Sequence, residues 1–514
     1  MSGIMDGIVE GFVGLSTWPI TIFMLLITLL LLGSFTGYVG IYTLPPLPKG
    51  SPQHWAADHL PIVGSAFPFF MRRRDMLVSK QDFSFFVGTK HIVNLGGLDG
   101  RKTFFESKKL SVSQGAIELL AGLVSANDDR EDYGAQDFIK SLLALLRPSR
   151  LVSKLPVLTS DVRAFHQCLT QEAPSRTCPQ WRVFNPFDSM YPLIFKLIMR
   201  VVGVSEWLAD DKVLNRNLSA FCRFEENCSR ARIVFPWLIT LTHLKKIFYG
   251  AILYRSITKA VNQRKKTGKP EDDAIQSLLD EDKDVITFLF SVLSSGITTE
   301  GCSAAWLIVF IAHSPEWQVR CRAEIDGVIA KNRKSQNHSA HDILGALSLQ
   351  EWESEFPVTV AAFRETVRLA MPGAMFRKNT SGSAVSIGDT GEVIPNGAYA
   401  SFLMDSVHMD PTTYPEPSKF DPGRYLMEGS GLDKQEKEAH TYVGWGSGRH
   451  LCPGMRLAKL EITMVIAHLI AYFQLEPSDW EGSELITAFP SVDRNGYRMK
   501  KSKVPMYVRY KVRE

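Results

Sequence analysis

The stretch Trp445-Gly446-Ser447-Gly448-Arg449-His450-Leu451-Cys452-Pro453-Gly454 constrains this chain more than any other. Three glycines permit tight turns and let the backbone approach a large ligand. Pro453 follows the cysteine, and Met455-Arg456-Leu457-Ala458-Lys459-Leu460-Glu461 reads as a helix. Proline is favoured at a first helical position, so the pattern predicts Cys452 where a helix N-terminus begins. Amide donors and the positive dipole end there favour a thiolate over a thiol. A bare cysteine beside a turn is more often a buried structural residue. Ten positions of pattern argue otherwise, provided companion motifs stand at suitable distances.

The loop resembles the haem-binding loop of the cytochrome P-450 family, F-G-x-G-x-R-x-C-x-G. Trp445 stands where that family usually has Phe, and His450 where it usually has Arg. The Gly-Arg-His variant is similar to sterol demethylases and to the bile-acid and prostacyclin branches. The resemblance implies haem b with Cys452 as axial ligand to its iron. It also implies that Trp445, Gly446 and Gly454 border the cofactor. Arg377, by its family position, and His450, on the cysteine loop, are then candidate partners for the haem propionates. The early W-x-x-x-R of the family is not found near residues 130–150.

Companion motifs follow in order. Ser294-Ser295-Gly296-Ile297-Thr298-Thr299-Glu300 lies in an apolar helix expected from about Val285 to Ala312. It resembles the oxygen-activation motif [AG]-G-x-[DE]-T. On that resemblance Gly296 opens the backbone to a ligand or water, and Thr299 places a hydroxyl beside dioxygen. Thr298 occupies the acidic position, so the usual proton relay lacks its carboxylate. Glu300 follows about 100° around the helix. Glu365 and Arg368 stand three apart on one helix face and can pair. Phe420-Asp421-Pro422-Gly423-Arg424-Tyr425 resembles the P-E-R-F segment, which implies a buried Glu365–Arg368–Arg424 network. Thr299 precedes Glu365 by 66 residues and Glu365 precedes Cys452 by 87, spacings that match the family.

The remaining features set the context. A net charge of +4 gives no reason to expect nucleic acid as a partner. Seven scattered cysteines make neither a disulfide framework nor a zinc site. No charged residue lies between Glu10 and Lys49, and Arg72-Arg73-Arg74 follow. This predicts a lumenal N-terminus over 1–18, a membrane anchor over 19–43, a proline-rich linker over 44–52 and a cytosolic catalytic domain over 53–514. The sequons at Asn217, Asn227, Asn337 and Asn379 would then stay unglycosylated.

Strands are expected near 85–105, 373–403 and 495–511, helices through about 115–330, and an exposed polar loop over Arg264 to Asp273. The fold class expected is mostly α with small β-sheets, the cytochrome P-450 fold behind one N-terminal transmembrane helix. Ile233 to Ile239 is apolar and could roof a pocket, enter a membrane or pack in the core. Met371 to Met375 and Phe489-Pro490 are expected to line an apolar cavity.

The resemblance implies a monooxygenase of the endoplasmic reticulum membrane. It would oxidise a lipophilic terpenoid, sterol-like or polyketide molecule with O2. Electrons would come from NADPH through a reductase, with cytochrome b5 as a further donor, docking where Arg449, Arg456 and Lys459 cluster. The alternative is a haem-thiolate isomerase or dehydratase acting on a peroxide without a reductase.

Overall fold

Fourteen of the fifteen residues of the helix Thr298–Ala312 are buried, and the other elements are arranged around it. The computed structural model describes residues 47–53, 69–78, 81–119, 131–235, 237–268, 273–281, 283–426, 440–496 and 498–513, with Met24 and Thr28. The principal helices are α1 Val112–Leu119, α2 Pro148–Gln171, α3 Pro186–Val202, α4 Asp211–Glu226 and α5 Leu241–Thr267. There follow α6 Val285–Val292, α7 Thr298–Ala312, α8 Pro315–Asn332, α9 Pro357–Ala370 and α10 Met455–Tyr472.

Helix α3 shows how local sequence starts these elements. Asn185 accepts a hydrogen bond from the Phe187 amide at 3.0 Å, and Pro186 opens the first turn. Its inner face packs on α7, where Phe187 meets Trp306 edge-on at 5.2 Å. Trp306 is 1% exposed, and its indole N–H donates to the Lys500 carbonyl at 3.0 Å. Replacing such a side chain with alanine costs roughly 3–5 kcal/mol.

The largest sheet has the order β1-β2-β8-β5-β3. Its strands are β1 Phe83–Val87, β2 Lys90–Asn94, β3 Leu110–Ser111, β5 Ala374–Asn379 and β8 Tyr399–Leu403. Only β2 and β8 run parallel. A second sheet joins β4 Arg182–Phe184, β10 Tyr507–Val512 and β9 Phe473–Ser478. β6 Val385–Ser386 and β7 Val393–Ile394 form a small ribbon.

The mostly helical expectation with small sheets is met, with local corrections. Residues Gly97–Glu106, expected as strand, are helical. Gly100, Arg101, Phe104 and Phe105 are its buried positions, a period near four that the intervening glycines obscured. The polar run Arg264 to Asp273 is not an exposed loop at its ends. Arg264 lies in the last turn of α5, and both residues are 4% exposed. Arg264 donates to Asp273 and, at 2.6 Å, to Glu206. Of the run 495–511, strand begins only at Tyr507. Asn217 and Asn379 are wholly buried, so neither side chain is open to glycosylation.

Among the described residues, Val285–Ala312 is the one helical run long and apolar enough to cross a membrane, and it runs through the core. The expected anchor at 19–43 falls outside the described residues, save Met24 and Thr28. Both are helical, and the Thr28 hydroxyl donates to the Met24 carbonyl at 2.7 Å.

Candidate functional site

Glu365 on α9 is wholly buried and collects five donors. Arg368 grips it with two bonds of 2.8 Å. Arg424 reaches it at 3.3 Å, the Tyr425 hydroxyl at 3.1 Å and the Asp421 amide at 3.1 Å. Arg368 also donates to the His408 carbonyl at 2.6 Å. The His408 ring in turn accepts the Val443 amide at 3.0 Å, just before the cysteine loop. The Tyr414 hydroxyl donates to the Thr441 carbonyl at 3.1 Å. The expected network is present, and it reaches the residues before the loop through His408 and Tyr414, which sequence reading missed.

The loop itself is tightly wound. The Cys452 amide donates to the Trp445 carbonyl at 2.7 Å. Gly446 has φ +71°, and a Cβ there would lie 2.3 Å from the His450 carbonyl oxygen. Trp445 packs edge-on to Phe363 at 5.4 Å. Helix α10 starts at Met455 with Gly454 at its cap, so Pro453 stands before the helix and not at its first position. The prolyl ring therefore shapes the turn instead of opening the helix. Burial pushes the Cys452 thiol up, and the nearby Glu300 carboxylate adds to this; the Gly454 and Met455 amides pull it down. Amides alone thus do not make the thiolate expected there. A bound metal cation would.

Above this, the apolar helix is interrupted. Leu293–Ile297 forms a π-turn between α6 and α7. The Ser295 hydroxyl folds back on the Ser291 carbonyl at 2.7 Å, and a Cβ on Gly296 would meet Ile198 at 3.2 Å. Back-bonding hydroxyls and π-turns both bend helices. Thr299 is half-buried, while Thr298 is buried and turned toward α4. There its hydroxyl donates to Glu225 at 3.2 Å. Arg498 pairs with the same carboxylate. Glu225 was not singled out from sequence, because nothing near residue 225 marks it as the neighbour of residue 298.

Glu300 faces the opposite way, toward Glu461 on α10. Both are buried, and neither meets a cation among the described residues. Burial holds both carboxyls above their ordinary range; Glu300 pushes Glu461 up further, while the hydrogen bond with Glu461 draws Glu300 partly back, so the pair retains a proton at neutral pH. The buried Cys302 sits 2.9 Å from the Tyr191 hydroxyl with its thiol pushed up to about 11 by burial.

The cytochrome P450 family model matches residues 81–492. The chain is 30% identical over 468 residues to cytochrome P450 monooxygenase AacuE of Aspergillus aculeatus, covering 87% of this chain and 91% of the relative. It is 29% identical over 417 residues to cytochrome P450 monooxygenase nsrP of Aspergillus novofumigatus, 78% of each. Sterol 14-demethylase of Arabidopsis thaliana is 26% identical over 299 residues, 55% of each. The chain belongs to the cytochrome P450 family.

The family's haem can be tested against this P450's own residues. Arg377 on β5 is buried, with no carboxylate beside it among the described residues. It donates to the Phe104 carbonyl and lies over the Phe104 ring at 4.6 Å. Burial pushes its guanidinium down to about 10. Gly115 on α1 lies directly against it; a Cβ there would sit 2.3 Å from the Arg377 Cα. Partial burial and the charges of Arg377 and Arg449 push the His450 imidazole below its ordinary value. Arg377 lies close enough to His450 to act on its charge, and His450 stands two residues before Cys452 on a loop where Gly446 and Gly448 leave no room for a Cβ. A buried unpaired cation is costly, and anionic propionates would satisfy it. The donor set fits haem.

The residues expected to line an apolar cavity do not border the one beside Thr298. A cavity of about 380 Å³ opens on the Thr298 side of α7. Its walls include Arg73, Arg230, Arg498, Lys500 and Lys501, not Met371–Met375 or Phe489. Phe489 is 43% exposed and stacks on Phe310 at 5.3 Å. Ile233 is buried, whereas Trp237 and Ile239 point outward. On the proximal face, Arg456 is already engaged by Glu353 at 2.6 Å, Lys459 is half-buried and Arg449 is exposed.

Proposed function

We propose that this P450 monooxygenase holds haem b through the Cys452 thiolate and oxidises a small molecule with O2 and electrons from an NADPH-dependent reductase. The observation that carries the reading is the Cys452 loop backed by the satisfied Glu365 network. Haem supplies oxygen activation and C–H oxidation when bound. Arg377 and His450 would hold its propionates, and Trp445, Gly446 and Gly454 would border it.

The chain's own residues then handle position and protons. Thr299 places a hydroxyl at the π-turn. Glu225 supplies from α4 the carboxylate that position 298 lacks, and the Thr298 hydroxyl already donates to it at 3.2 Å. A proton entering from the cavity would pass Glu225 and Thr298 before Thr299, with ordered water closing the gaps. The buried Glu300–Glu461 pair lies on the α10 side and is outside that route.

Attachment to the endoplasmic reticulum membrane through residues 19–43 is part of the same reading. Trp237, Ile239, Leu241, Leu244 and Phe248 are each more than half exposed and would rest on the lipid surface. Arg449 on the proximal face offers a docking cation for an acidic reductase. The similarity to fungal monooxygenases supports a role in secondary metabolism.

Reconstitution with a fungal NADPH–cytochrome P450 reductase tests the reading. Substrate-dependent NADPH oxidation with matching O2 uptake is expected. Product formation from a peroxide substrate with no NADPH consumption would overturn it in favour of an isomerase.

A further inference from the structure

The Glu300–Glu461 pair, left outside the proton route, has no counter-charge among the described residues. Glu461 is wholly buried and Glu300 is 8% exposed. One turn from Glu461 on α10 stand Leu457, Ala458, Met464 and Val465, all buried. Ile297 and Ala304 take the same places beside Glu300, and neither is exposed. Apart from the bond between the two carboxyls, Glu300 Oε1 and both Glu461 oxygens have no hydrogen-bond partner among the described residues. Two ionised carboxylates are not held together in so apolar a space.

One proton between them resolves the conflict. The hydrogen bond pushes Glu461 up and draws Glu300 down, so the Glu461 O–H donates and Glu300 accepts. One negative charge therefore stays in the core, on Glu300. Its place matters. Glu461 stands nine residues after Cys452, on the helix that begins at Met455. Glu300 directly follows Thr299. Among the described residues, Glu300 is the one charged side chain that acts on the Cys452 sulfur. Burial weakens the screening of that charge by water. A fixed anion beside a metal-bound thiolate opposes the arrival of a further electron, and groups just outside the ligand set tune a metal in this way.

We propose that Glu300 and Glu461 are a positioning pair for charge, in which the Glu461 hydroxyl holds one negative charge on Glu300 within reach of the Cys452 sulfur and so lowers the reduction potential of the thiolate-bound iron. The proposal rests on the haem-thiolate reading and deepens it. The roles of the two residues differ. Glu300 carries the charge, and Glu461 supplies the hydrogen bond that keeps it there. Replacing Glu300 by its amide removes the charge and keeps an acceptor for the Glu461 O–H. Replacing Glu461 by its amide keeps both a donor and the charge on Glu300. A pair that merely filled space between α7 and α10 would respond alike to either change.

The test is the one-electron reduction potential of the purified holoenzyme at pH 8, measured by spectroelectrochemical titration for the wild type, Glu300→Gln and Glu461→Gln. Glu300→Gln is expected to shift the equilibrium about tenfold toward the reduced state, a rise of about 59 mV. Glu461→Gln is expected to shift it by less than about threefold, on the same scale. Should Glu300→Gln not retain haem, the double amide variant carries the same expected rise. An unchanged or lowered potential without the Glu300 charge overturns the proposal, as does an equal rise in Glu461→Gln. Loss of haem from both Glu300→Gln and the double variant assigns the pair to structure and overturns it too. The reduced carbon-monoxide spectrum of the same samples separates the two levels. A normal thiolate band with equal potentials sinks this inference alone, whereas a missing band in the wild-type protein sinks the functional reading beneath it.

Discussion

The Glu365 network and the Thr298–Glu225–Arg498 network are both built on a buried carboxylate and a guanidinium, yet one is closed and the other open. Glu365 has both oxygens engaged by five donors, and its arginines are in turn tied to the His408, Glu416 and Lys419 carbonyls. Glu225 takes Thr298 and Arg498 on Oε2, while its Oε1 has no hydrogen-bond partner among the described residues. It also borders a cavity. A satisfied network fixes geometry, and one with a spare acceptor beside a cavity can exchange protons or meet a ligand. On the proposed reading, the contrast separates the part of this P450 that holds still from the part that handles protons.

Breaking the closed side should have the largest effect. Glu365→Ala strands Arg368 in the core, and removal of one partner of a buried pair costs about 3–5 kcal/mol. Denaturant unfolding and haem content of the purified variant check this. A loss below about 1 kcal/mol with full haem loading would contradict the closed network.

On the open side the effect should fall on turnover instead of stability. Thr299→Ala and Glu225→Gln should each leave a folded protein but lower the product formed per NADPH by several-fold. Glu225→Gln should also raise the solvent isotope effect, since it removes the carboxylate nearest Thr298. Unchanged coupling in Glu225→Gln would remove that residue from the proton route, and Thr299 would then draw protons from elsewhere.

A smaller effect sharpens the contrast through pH. His341 bonds to His166 and His468, each at 2.9 Å, behind α10. Burial pushes His166 down to about 3 and His341 down to about 4, and His468 well below its ordinary value. All three are neutral when folded but titrate near 6.5 when unfolded. Their contribution is therefore complete above pH 6.5 and is lost as pH falls from 6.5 toward 4. The denaturant midpoint should drop across that window. A midpoint independent of pH between 7 and 5 would contradict the neutral histidine chain.

The same contrast explains what the sequence made legible. Glu365 and Arg368 are three apart on a helix, and Cys452 lies within ten patterned positions, so chain proximity advertises them. Residues 225, 298 and 498 meet only because α4, α7 and the segment before β10 converge, and no local spacing records that. That Met371–Met375 do not border the cavity beside Thr298 has a related reason. Hydrophobic runs report burial in general, whereas the charged wall is assembled from isolated residues on separate segments. Glu300 illustrates a third limit: one helical step separates it from Thr299, and that step of about 100° turns it toward Glu461.

The central claim is that the Cys452 sulfur is the axial ligand. The most direct measurement is the carbon-monoxide difference spectrum of the dithionite-reduced protein, recorded for the wild type and for Cys452→Ser. The account predicts the red-shifted Soret band of thiolate ligation in the wild type and its disappearance in the variant. Persistence of that band in Cys452→Ser would contradict it.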